Sequence, residues 1–142
     1  MQPQKFIAKS PNDLSLIVPD LLSALGDSRV CCLDAPMGAG KTTLVGSIMR
    51  FLGSPSVINS PTFAIINDYA LPDGNSVYHF DLYRLQTVEE AVSMGFDEYF
   101  YSGSYCFVEW PEVADSLYPD NAKRITIEVL PDGSRSITIS DY

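Results

Sequence analysis

Between residues 30 and 53 a run of buried-strand type, Val30-Cys31-Cys32-Leu33-Asp34, passes through Ala35-Pro36-Met37-Gly38-Ala39-Gly40-Lys41-Thr42 into an amphipathic helix pattern. No other segment restricts the fold as much, because a short apolar strand feeding a glycine loop and then a helix is the opening unit of an open α/β sheet. The loop reads as a Walker A string, G-x-x-x-x-G-K-[ST], with Ala35 where the first glycine usually stands. Glycines at 38 and 40 allow positive φ, so backbone amides can approach anionic oxygens while the next helix directs its positive end at them. In that arrangement Lys41 lies on the β and γ phosphates of a nucleotide, and the Thr42 hydroxyl on a magnesium ion bridging them. The competing reading is a plain glycine turn with a surface lysine, and the flanking strand and helix weigh against it. If position 35 needs positive φ, the Ala35 methyl strains the loop.

The 142 residues suffice for one domain, residues 1–142, with one core and no room for a second catalytic domain. No apolar run is long enough to cross a bilayer, and Met1-Gln2-Pro3-Gln4-Lys5 lacks the apolar centre of a secretory signal. Three cysteines, Cys31, Cys32 and Cys106, neither pair evenly nor show zinc spacing, which predicts reduced core thiols in a cytoplasmic protein. The net charge of −9, with only nine scattered Lys and Arg, argues against direct grip on nucleic acid, where affinity comes largely from cations that displace counterions. Any role in RNA or DNA chemistry then needs a basic partner to hold the polymer.

Lys5–Ala8 reads as a short edge strand. Ser10, Pro11 and Asp13 supply an N-cap, a first-turn proline and a capping-box acid. Leu14, Ile17, Val18, Leu21, Leu22 and Leu25 form a helical stripe ending near Gly26, with Pro19 expected to kink or break it. The helix after the loop carries Leu44, Val45, Ile48, Met49 and Leu52 and stops at Gly53. Two strands, 63–70 and 76–81, flank the turn Leu71-Pro72-Asp73-Gly74-Asn75. Thr87-Val88-Glu89-Glu90 is a second capping box, predicting a short helix to Gly95. Tyr105 to Glu109 is another apolar run closing on an acid, Pro111-Glu112 starts a brief helix, and Ile125, Ile127 and Val129 with Ile137 and Ile139 predict a closing hairpin around Pro131-Asp132-Gly133. The predicted fold is α/β: a single P-loop NTPase domain with a mixed, partly parallel central sheet flanked by helices.

Ligands of such sheets gather beyond the carboxyl ends of strands, so acids closing apolar runs carry weight. Asp81 closes Val77-Tyr78-His79-Phe80 and has the position of a Walker B acid, holding magnesium directly or through water. Glu109 closes Cys106-Phe107-Val108 and can bind the metal or polarise an attacking water. Both also admit the ordinary reading of solvated strand-end carboxylates. His79, the only histidine, reads as a packed, hydrogen-bonded strand residue ahead of a catalytic one. Trp110 either walls the site or is a core aromatic that orients the acid. Thr62, in Ser60-Pro61-Thr62, is either a γ-phosphate-sensing switch residue or part of a strand-entry turn.

Taken in order, the loop, Ser60-Pro61-Thr62, His79-Phe80-Asp81-Leu82-Tyr83-Arg84, Met94-Gly95 and Val108-Glu109-Trp110-Pro111 make the chain resemble the TsaE (YjeE) family, the ATPase subunit of bacterial tRNA threonylcarbamoyladenosine biosynthesis. The match runs over most of the chain, and the HFDLYR and VEWP strings are not general features of P-loop proteins. The resemblance implies an ATP- and Mg2+-binding protein that works with the TsaB–TsaD heterodimer and meets tRNA only through it, with no membrane. It implies Gly38, Ala39, Gly40, Lys41, Thr42 and Thr43 as nucleotide contacts, and Thr42 and Glu109 at the magnesium. Asp81 is implied as a second acid, Thr62 as a switch-like residue and Trp110 as a supporting aromatic. Family members commonly carry glycine at the place of Ala35 and often an acid at that of Pro36. Adenine contacts are expected near Ser10 to Asp13, where the first helix packs.

With Lys41, Asp81 and Glu109 as the catalytic set, the expected activity is ATP hydrolysis that resets a partner complex. It is slow in the isolated chain, since an arginine finger contributes a factor of about 10³ to 10⁵ and only Arg84 stands near the acids in sequence. A small-molecule kinase would need an arginine-rich lid, which Arg29, Arg50, Arg84, Arg124 and Arg135 do not form. A guanine-nucleotide switch would need an Asn-Lys-x-Asp string and a D-x-x-G at Asp81, and neither is present.

Overall fold

The structure is a computed structural model in which residues 2–36, 38–54 and 65–142 are described. Seven strands form one sheet: β1 (Gln4–Ala8), β2 (Val30–Asp34), β3 (Ile66–Ala70), β4 (Ser76–Asp81), β5 (Cys106–Glu109), β6 (Lys123–Val129) and β7 (Arg135–Asp141). Their spatial order is β1-β7-β6-β2-β5-β4-β3. The four central strands, β6, β2, β5 and β4, are mutually parallel, and the outer pairs β1–β7, β6–β7 and β3–β4 are antiparallel. The mixed sheet with helices on its faces is the predicted architecture.

Helices α1 (Pro11–Leu25) and α2 (Lys41–Leu52) cover one face, where Leu21, Leu25, Leu44, Ile48 and Met49 meet Cys31, Leu33, Phe107, Ile125 and Ile137 in one buried cluster. On the opposite face α3 (Val88–Ser93), α4 (Phe96–Phe100) and a 3-10 helix (Pro111–Leu117) close over Val30, Cys32, Phe80, Cys106 and Val108. The strands at the sheet centre are buried on both sides, which is why β2 and β5 read as unbroken apolar runs instead of alternating ones. Phe80 anchors the second layer, with Phe96 edge-on at 5.2 Å and Phe100 at 5.1 Å between ring centroids.

Three local features depart from the pattern reading. Helix α1 runs unbroken through Pro19. The proline is exposed, as is Ser15 one turn earlier, so the carbonyl deprived of its amide partner lies on the water-facing side. Asp13 accepts from the Lys9 amide at 2.8 Å, one residue before the expected partner, and the Ser10 side chain makes no capping bond. Helix α4 has no counterpart in the sequence pattern, because its five residues are too few to display a helical period. The second capping box is present as predicted, with the Glu90 amide donating to Thr87 Oγ1 at 3.3 Å.

The three cysteines are free and buried. Burial pushes all three thiols up, Cys106 to about 12, so they pack as small apolar groups and not as nucleophiles. Among the described residues no helix is long and apolar enough to cross a membrane.

Candidate functional site

Parallel strands align their carboxyl ends, and register does the rest. Glu109 stands beside Leu33 of β2 on one side and Asp81 of β4 on the other. The chain leaves β2 one residue after Leu33, at Asp34, and enters the glycine loop, so loop and acids share one edge of the sheet. Gly38, Gly40, Lys41, Thr42, Thr43, Asp81, Glu109 and Trp110 line a single cleft of about 370 Å³ there. Residues from three separate stretches of sequence are thereby brought together.

The loop has the geometry its composition predicts. Gly38 and Gly40 have φ of 80° and 109°, values that L side chains rarely adopt. Gly40 is the N-cap of α2 and no side chain caps that end, which leaves the first-turn amides directed towards the cleft. Ala35 is not at positive φ, since Trp110 is the sole non-glycine residue in that region among those described. The alanine in place of the usual first glycine therefore carries no backbone strain, and it packs against the α1–α2 core. Ala39, expected as a nucleotide contact, lines not this cleft but the recess that adjoins the loop on its other side; its side chain is buried and its carbonyl accepts from Arg135 Nε at 3.0 Å. Arg135 also donates from Nη1 to the Gly133 carbonyl at 2.6 Å. No local pattern points to this brace, because the two residues are 96 positions apart.

Lys41 Nζ lies 3.4 Å from Glu109 Oε1 and 5.4 Å from the centroid of the Trp110 ring. Glu109 is only 6% exposed, so the reading of it as a solvated strand end does not apply. Its other oxygen, Oε2, is 2.6 Å from His79 Nε2, on a side chain that is fully buried. Burial acts to raise the Glu109 carboxyl, but the His79 hydrogen bond and the Lys41 ammonium outweigh it and hold the group below its ordinary value. Asp81 is half-buried and accepts from the Tyr83 amide through Oδ1 at 3.0 Å, which fixes the carboxylate at the rim.

His79 is thus packed and hydrogen-bonded, as predicted, with a partner that local pattern does not disclose. The period of a strand contains the signal: His79 and Asp81 are two apart and share a sheet face, and Glu109 is the register neighbour of Asp81 on that same face. Trp110 is 44% exposed and stands at the cleft wall, not in the core. Its ring lies 5.1 Å from that of Tyr83. At φ 55°, ψ 56° its backbone is left-handed, a conformation costing about 1–2 kcal/mol in a residue with a side chain. That turn is what sends the chain sharply away from Glu109 and lays the indole beside Lys41.

A second recess of about 200 Å³ adjoins the loop on its other side, where Ser10 and Pro11 face Gly38, Gly40 and Thr43. Asp13, expected with them near the base, does not line it. Thr62 and the Ser60-Pro61-Thr62 segment lie outside the described residues.

The donor set fits a magnesium-bound triphosphate. Among the described residues no group of three or more His, Cys, Asp or Glu is arranged to cage a metal. Mg2+ in phosphate sites instead keeps several waters and uses one or two protein oxygens besides those of the substrate, a demand that Thr42, Asp81 and Glu109 in one cleft can meet.

The family model described as "Threonylcarbamoyl adenosine biosynthesis protein TsaE" matches residues 8–137. The chain is 32% identical over 143 residues to the tRNA threonylcarbamoyladenosine biosynthesis protein TsaE of Bacillus subtilis (strain 168), covering 99% of this chain and 87% of that protein. It is 35% identical over 117 residues to the protein of the same name from Treponema pallidum (strain Nichols), covering 82% and 84%. The crystal structure of Bacillus subtilis YdiB superposes with a TM-score of 0.76 at 29% identity, over 99% of this chain and 86% of that one.

Proposed function

Since the chain belongs to the TsaE family, whose members are named for tRNA threonylcarbamoyladenosine biosynthesis, we propose that it binds ATP with Mg2+, hydrolyses it, and drives or resets the TsaB–TsaD complex in that modification. One observation carries the reading: Lys41 and Thr42 at the start of α2 share a cleft with Asp81 and Glu109 from the ends of two adjacent parallel strands.

Each residue then has a defined task. The loop amides and the positive end of α2 attract phosphate oxygens, against the unfavourable field of a chain with net charge −9. Lys41 exchanges its Glu109 partner for the β and γ phosphates. The Thr42 hydroxyl, with Asp81 and Glu109 directly or through water, holds the magnesium. When bound, that ion spreads the charge of the transferring phosphoryl group. Glu109, released from the ammonium, accepts a hydrogen bond from the attacking water and orients it. Trp110 shields one side. The recess at Ser10 and Pro11 takes the base, and Thr62 senses the γ phosphate. Partners hold the tRNA, consistent with the scarcity of cations on this chain.

The test is reconstitution of the modification with TsaB–TsaD and a defined tRNA. Repeated turnover that requires hydrolysable ATP supports the reading, and equal turnover with a non-hydrolysable analogue overturns it. The isolated chain is expected to hydrolyse ATP slowly and to be stimulated by the heterodimer, since among the described residues no arginine lines the cleft. Phosphorylation of a small acceptor faster than loss of phosphate to water would instead favour a kinase, and preference for GTP a nucleotide switch.

A further inference from the structure

Glu109 has two partners of different character. Lys41 reaches Oε1 on a flexible four-carbon stem and is free to turn elsewhere. His79 reaches Oε2 at 2.6 Å from within β4, opposite Phe107 of β5, and its ring is fully enclosed. We propose that His79 is the positioning residue for Glu109, donating through Nε2–H so that the carboxylate keeps its aim when Lys41 leaves it for phosphate. This rests on the ATPase reading given above.

The tautomer follows from hydrogen-bond accounting. An ionised carboxylate only accepts, so the proton of the short contact sits on His79 Nε2. The other ring nitrogen, Nδ1, is buried with no hydrogen-bond partner among the described residues. A bare nitrogen there loses a weak acceptor interaction, whereas an N–H there is a buried donor that none of the described residues meets. Among the described residues, the partners of the two ring nitrogens therefore favour a donor at Nε2. The enclosure also removes alternatives for Glu109: with one oxygen tied to a ring that cannot rotate away, the other is left directed at the loop, where Lys41 now sits. Without that tie the carboxylate is free to swing in a cleft shared with Asp81 and Trp110. The ammonium is the exchangeable partner and the imidazole the permanent one.

His79 is the only histidine of the chain, so untagged protein carrying 15N-labelled histidine gives one imidazole spin system. The expected spectrum shows a proton on Nε2 and none on Nδ1, unchanged on addition of MgADP. A proton on Nδ1 with bare Nε2 overturns the proposal. Two variants give the functional test. Glutamine carries its amide nitrogen the same number of bonds from Cα as Nε2, so His79→Gln retains a donor, whereas His79→Leu removes it. For His79→Leu the expected loss in kcat is about tenfold or more with KM within about threefold, and His79→Gln recovers most of it. Unchanged kcat in His79→Leu, or an equal loss in a natively folded His79→Gln that binds nucleotide normally, overturns the role. If His79→Leu does not fold, the spectrum and His79→Gln decide alone. Wild-type protein that fails to bind MgATP would end the ATPase reading and this role together, while bare Nε2 in a chain that does hydrolyse ATP ends this role only.

Discussion

Lys41 and Glu109 face each other across the cleft at 3.4 Å, an ammonium from the first residue of α2 and a carboxylate from the last of β5. Each neutralises the other in a setting where neither is more than 14% exposed. Removing one partner of such a pair leaves the other short of compensation. In the proposed function, phosphate binding is an exchange of anions at Lys41. Lys41→Ala should lower affinity for MgATP by at least about tenfold, as expected when a charge-assisted contact to phosphate is lost. Titration calorimetry measures it, and heat and affinity equal to those of the wild type would contradict the assignment.

Glu109→Gln keeps the shape of the side chain and its contact with His79 while removing the charge that orients water. Nucleotide affinity should stay within about threefold, whereas hydrolysis should fall by roughly 10² or more, the usual range for a positioned base. Single-turnover phosphate release compared with binding separates the two. Equal loss of both would mean that the residue chiefly holds the local structure together.

The same carboxyl makes a pH prediction. Its folded-state value lies below the ordinary 4.5, despite burial, because of the His79 hydrogen bond and the Lys41 ammonium. A carboxyl lowered on folding adds stability that is complete above its unfolded value and is withdrawn as pH falls through its folded one. The melting temperature of the wild type should therefore drop more steeply on acidification below about pH 4.5 than that of Glu109→Gln, the ordinary carboxyl range. Between pH 6 and 8 this group adds no difference in slope. Parallel melting curves down to pH 3 would refute it.

Phe96 is fully buried with its ring edge-on to Phe80, the residue between His79 and Asp81 in β4. Phe96→Ala should cost about 3–5 kcal/mol, the usual loss for an aromatic truncated in a core. Urea unfolding gives the value. A loss under 1 kcal/mol would show that α4 closes over the gap.

Much of this arrangement is legible in the amino-acid sequence alone. The strand Val30–Asp34, the helix ending at Gly53 and the closing hairpin depend on short-range chemistry, namely strand and helix periods, caps and turns, and they lie where the pattern puts them. The strand expected over 63–70 begins at Ile66, with residues 63 and 64 outside the described ones. Asp81 and Glu109 stand out because each terminates an apolar run. Pairing between distant segments has no such local trace. That β5 lies between β2 and β4 is what makes Asp81 and Glu109 register neighbours and sets His79 diagonally across from Glu109. The left-handed backbone of Trp110 and the exposed side that tolerates Pro19 likewise depend on surroundings, which a window of neighbouring residues does not contain.

Arg135 opens the last strand, and its guanidinium grips the carbonyl of Ala39 in the middle of the glycine loop. A motif that looks self-sufficient in eight consecutive letters thus has its backbone tied by the final hairpin. During synthesis the whole loop emerges long before its clasp does. A fragment stopping ahead of Lys123 would retain every Walker residue and both acids while lacking β6, β7 and that clasp. If the loop holds nucleotide as proposed, that capacity consequently waits on a hairpin made almost a hundred residues after it.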